Sequence, residues 1–63
     1  MDAMRRVLQL RPAAVLVTRG RNGRWEYRVE DRDVTHFVWR LSYWHRTPEK
    51  AWHNALEYIR EGA

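Results

Sequence analysis

Polar and apolar residues alternate without a break over residues 24–30. Trp25, Tyr27 and Val29 point one way; Arg24, Glu26, Arg28 and Glu30 point the other. A period of two is the mark of a strand with one buried face. Just before it, Gly20-Arg21-Asn22-Gly23 holds an Asn-Gly pair between two apolar runs. That pair is a strong hairpin signal, because both residues tolerate positive φ. Residues 13–19 therefore read as the preceding strand, with Val15 and Val17 alternating against Leu16 and Thr18. Asp31-Arg32-Asp33 reads as a second polar turn. Residues 34–45 read as a third strand, with Phe37, Trp39, Leu41 and Tyr43 on one face and His36, Val38, Arg40, Ser42 and Trp44 on the other.

The period changes after Arg46. Thr47-Pro48-Glu49 places a capping hydroxyl, a proline for the first helical position and an acid for the positive end of the helix dipole. Ala51, Trp52, Ala55, Leu56 and Ile59 then form an apolar stripe, and Gly62 marks a stop. At the other end, Asp2 as a cap and Met4, Val7 and Leu8 on one side fit one or two helical turns, while residues 7–10 fit an extended segment equally well. Arg11-Pro12 ends either form. The fold class predicted is α+β: residues 1–63 make a single β-β-β-α domain, a three-stranded antiparallel meander packed on one face by a C-terminal helix. Residues 1–12 are a turn or short helix. Trp25, Trp39 and Trp52 are expected between helix and sheet, leaving the other sheet face open.

Composition adjusts this picture in three ways. A chain of 63 residues buries only about 60% of its unfolded surface and needs reinforcement. There is no Cys, hence no disulfide and no thiolate metal site, but there are four Trp, three Tyr and one Phe. Large aromatics are the expected reinforcement, with homodimer formation the other route. No apolar run approaches the roughly 20 residues of a membrane span, and none resembles a signal peptide; a cytoplasmic location with no membrane partner is expected. The formal charge is +4, and eleven of the twelve basic residues are Arg. Arginine suits phosphate and guanine, although a GC-rich genome raises Arg usage just as well.

Signals for catalysis are poor. His36, His45 and His53 do not converge as a metal site requires. Ser42 has no base beside it. Gly20 and Gly23 are not followed by the helix a phosphate-cradling loop needs. A non-enzyme with no cofactor and no metal is expected. The open face is more informative: Arg24 and Arg28 on the second strand, Arg40 and Trp44 on the third, and Arg19 and Arg21 along the hairpin tip. A row of guanidinium groups beside an aromatic suits a β-sheet that reads duplex DNA. The bland counterpart is that these arginines pair across strands with Glu26 and Glu30 and merely solvate the face.

From Val15 to Ile59 the chain resembles the arm-type DNA-binding domains at the amino end of tyrosine recombinases, and the plant ethylene-response-factor domain of the same fold. The matching residues are Gly23-Arg24-Trp25 at the end of a basic hairpin and Thr47-Pro48-Glu49-Lys50-Ala51 opening the helix. The resemblance implies a sheet laid in the major groove, with Arg24, Arg28, Arg40 and Trp44 as contacts. The chain departs from that pattern at Trp44-His45-Arg46, where the family has a glycine and an aromatic, and in its longer third strand. Residues 47–59, with Asn54-Ala55, also look like the strand-to-helix junction of HicB-type antitoxins. The order helix, three strands, helix is similar to that of double-stranded-RNA-binding domains, but Pro48 and Glu49 stand where that family has a lysine pair. The expected function is thus a small DNA-binding module. The alternatives are a protein-binding regulator or inhibitor of phage, mobile-element or antitoxin type acting around Trp44, and an enzyme accessory subunit.

Overall fold

The computed structural model describes residues 2–32 and 38–62. The elements run α1 (Asp2–Leu10), β1 (Ala14–Arg21), β2 (Arg24–Asp31), β3 (Trp39–Arg40) and α2 (Pro48–Arg60). The sheet is antiparallel in the order β1-β2-β3. Of the two forms open to the N-terminal segment, the helix is adopted. It closes with Arg11 N donating to Val7 O at 2.7 Å, and Ala14 N to Arg11 O at 3.0 Å then makes the Pro12 turn into β1. The β1–β2 hairpin closes where the Asn-Gly pair places it, with Asn22 at φ 53° and Gly23 at φ 73°.

Both helices lie on one side of the sheet. Ala3 and Val7 of α1 and Ala51, Trp52, Ala55 and Leu56 of α2 form the core with Ala14, Val29 and Leu41. α1 packs chiefly on α2, and α2 on β2. Alanines at Ala3, Ala51 and Ala55 let these layers approach closely while Trp52 fills the remaining space. The start of α2 is as expected: Thr47 is extended, its Oγ1 accepts from Lys50 N at 3.2 Å, and Pro48 follows. At its end Gly62 takes φ 81° and donates to Ile59 O at 3.1 Å.

Two expectations need correcting. Trp52 is buried, but Trp25 is 65% exposed, Trp39 42% and Tyr43 80%. Alternation identifies the side of a strand, not how far the helices reach across it. Trp25 is on the helix side with Val29 but sits at the hairpin end, where it covers its cross-strand neighbour Gly20; a Cβ added there would lie 4.0 Å from the indole Cζ3.

The second correction concerns the third strand, read as continuous over residues 34–45. Residues 33–37, including His36 and Phe37, lie outside the described residues. Beyond them, Arg40 pairs with Glu30 and Leu41 N donates to Val29 O at 2.9 Å. The next bridge joins His45 to Tyr27. Five steps along this strand thus match three along β2, so two extra residues are accommodated as a bulge. Ser42, expected on the open face, turns inward: its Oγ accepts from Val29 N at 2.9 Å and donates to Tyr43 O at 2.9 Å. The hydroxyl thereby replaces the carbonyl that the bulge removes from the ladder.

Candidate nucleic-acid interface

The bulge sets the geometry of the open face. An insertion of two residues preserves the alternation, so Trp44 stays on the open side despite the break. His45 is on the helix side, where its Nε2 lies 2.8 Å from Asn54 Oδ1. The same oxygen accepts from Tyr43 N at 2.9 Å. Asn54, a polar neighbour of the apolar stripe of α2, therefore clamps the bulge to α2.

Trp44 lies against two guanidinium groups. Arg19 Cζ is 4.1 Å and Arg28 Cζ 4.4 Å from its ring centroid. Each of these arginines also meets an acid. Arg19 Nε donates to Glu26 Oε1 at 2.8 Å. Arg28 Nε donates to Glu30 Oε2 at 3.0 Å, and its Nη2 reaches the same oxygen. Arg32 Nη2 takes the other oxygen of Glu30 at 3.1 Å. Glu30 is 5% exposed; burying a carboxylate this fully requires partners, and it has two. Contacts of a guanidinium with an indole add about 0.5–2 kcal/mol each, more as water is excluded. Arg19, Arg28 and Trp44 are thus brought together as expected, and they form a brace. The pairing with Glu26 and Glu30 is present as well.

The remaining arginines behave differently. Arg21, Arg24, Arg40 and Arg46 are all exposed, and no acid among the described residues pairs with them. Arg21 and Arg24 are direct cross-strand partners flanking the turn. With Asn22, Glu26 and Arg46 they line a polar concavity of about 530 Å³. Arg40 opens onto a second cleft of about 250 Å³, beside Tyr43, Trp44, Asn54 and Tyr58. Arg46 escapes a reading that ends the third strand at His45. Its signal is the alternation itself, which carried one step further places it with Trp44 on the open side.

The charge distribution follows from these placements. The open face holds Arg19, Arg21, Arg24, Arg28, Arg40 and Arg46, and Arg32 reaches Glu30 from the end of β2; against Glu26 and Glu30 these seven arginines leave an excess of five. Among the described residues the other five basic side chains, Arg5, Arg6, Arg11, Lys50 and Arg60, are matched by five acidic ones, Asp2, Asp31, Glu49, Glu57 and Glu61. One face therefore carries the whole positive excess of the described residues. Among the described residues no group of histidines and acids is arranged to hold a metal ion, and no helix is long and apolar enough to cross a membrane. No protein-family model, curated protein or solved structure matches this chain.

Proposed function

We propose that this chain is a DNA-binding module that lays the open face of its sheet on a duplex. The observation that carries this reading is the concentration of the described residues' net positive charge on that face. A field of one sign on one surface attracts a polyanion and orients it before contact. The dimensions agree. Strands of eight residues span about 26 Å at about 3.3 Å per residue, and two or three strands across fit the roughly 12 Å of a major groove. Glu26 and Glu30 would otherwise repel phosphate, but both are already neutralised by arginines of the same surface. Arg21, Arg24, Arg40 and Arg46 supply the free donors. Arg19, Arg28 and Trp44 form the folded floor between them and hold both glutamates neutralised.

Titrating a labelled duplex at several salt concentrations tests this. Binding weakens with log-log slope of about −0.9 per phosphate neutralised, and Arg40→Gln flattens the slope by about one unit if it meets a phosphate. Absence of duplex binding by the wild type at low salt would end the reading.

A second reading, a protein-binding module, draws on the exposure of Tyr43 (80%) and Trp25 (65%). Large exposed aromatics are typical of interface anchors. With Trp44 held by two arginines, Tyr43 is the residue this reading now rests on. Loss of partner capture in Tyr43→Ala, with the salt dependence of duplex binding untouched, would favour it.

A further inference from the structure

We propose that the tip of the β1–β2 hairpin is a discrete phosphate-binding site, formed by Arg21, Arg24 and Arg46. Only the identity of the phosphate's owner, a nucleic-acid backbone, rests on the reading above. Arg21 and Arg24 face each other in register on either side of the turn. Like charges in directly opposed positions destabilise a hairpin, and these two have no acid of their own. Arg46 enters from a third segment and adds a further positive charge to the same concavity. The single acid lining it, Glu26, is held by Arg19 Nε at 2.8 Å and leaves the three guanidinium groups uncompensated. Three planar forks around one polar hollow fit a tetrahedral oxyanion, which accepts several charge-assisted hydrogen bonds at once. A bound phosphate would relieve the repulsion it finds there, so that occupancy stabilises the hairpin.

The experiment is a heteronuclear NMR titration of the full chain with inorganic phosphate and, separately, dimethyl phosphate, at constant ionic strength. Arg24→Gln and Arg46→Gln are compared with Arg60→Gln, which removes the same charge from an exposed position on α2. The expected result is saturable shifts of the amides of residues 21–24 and the Trp25 indole. Affinity should fall about five- to tenfold in Arg24→Gln and Arg46→Gln and hold in Arg60→Gln. The tip variants remain folded, with melting no lower than wild type in low salt. Shifts with dimethyl phosphate support a site for a phosphodiester; shifts with inorganic phosphate alone support one for a free phosphate group. Absence of saturable shifts at the tip, or an equal loss in Arg60→Gln, overturns the proposal. Two results separate this site from the duplex reading. Phosphate bound at the tip without duplex binding keeps the site and removes the duplex. Duplex binding whose affinity and salt slope survive Arg24→Gln and Arg46→Gln keeps the duplex and removes the site.

Discussion

The middle of the open face and its hairpin end carry the same residue type and opposite arrangements of it. In the middle, Arg19 and Arg28 are each tied to a glutamate and laid on Trp44. At the end, Arg21, Arg24 and Arg46 share one hollow and pair with no described acid. Arginine composition alone therefore says little about role. A guanidinium that already has its carboxylate and its aromatic ring contributes to the fold; one left without either is available to a partner. The contrast also explains how a sheet face can be strongly basic and still be ordered: its centre is internally neutral and its excess charge is pushed to the rim.

Substitutions in the two regions should separate along this line. The largest effect is expected for Glu30→Ala, which strands Arg28 and Arg32 around a nearly closed site. A loss of about 2–4 kcal/mol follows, toward the lower end for a broken buried pair because Arg32 remains half exposed. Chemical denaturation measures it, and a loss under 1 kcal/mol would show that the middle is not a brace. Trp44→Ala should cost about 2 kcal/mol, less than a fully buried Trp because part of the residue stays exposed. Any weakening of duplex binding by this variant should disappear once the data are restricted to the folded fraction. Ser42→Ala comes next, at about 1–2 kcal/mol, because it leaves the Val29 amide without an acceptor. Hydrogen exchange at that amide should accelerate while the Tyr27 amide, bonded to His45 O, stays protected. The smallest effect belongs to the other region: Arg24→Gln should change stability by no more than about 0.5 kcal/mol, as a gain at low salt that fades as salt is added. A loss of 1 kcal/mol or more there would mean that the tip, too, is structural.

Sequence patterning made some of this legible and hid the rest for definite reasons. β2 is visible because its alternation is unbroken, the hairpin because Asn22-Gly23 demands positive φ, and α2 because Thr47-Pro48-Glu49 can hardly open anything else. α1 stayed ambiguous because a short segment with Val7 and Leu8 adjacent satisfies two periods at once. The bulge is silent in the pattern: Ser42, Tyr43 and Trp44 continue the alternation as though the strand ran on, and the break shows in the ladder register and in the bonds of Ser42 Oγ and Asn54 Oδ1. The candidate site was found to the extent that it follows strand parity, which Arg19, Arg21, Arg24, Arg28, Arg40 and Trp44 do. Parity did not disclose which of these arginines are already engaged, since that depends on rotamers, nor that Arg46 joins them.

The bulge also constrains how this chain can change in length. Removing one residue between Leu41 and His45 would exchange the sides of everything after it until the helix begins. Trp44 and Arg46 would be driven toward the core, and the imidazole that meets Asn54 would be carried out to solvent. Removing or adding two leaves every later side chain on its own side. Variation in this stretch, natural or engineered, should therefore be tolerated in steps of two. A deletion of Tyr43 alone should be more damaging than the larger deletion of Ser42 together with Tyr43.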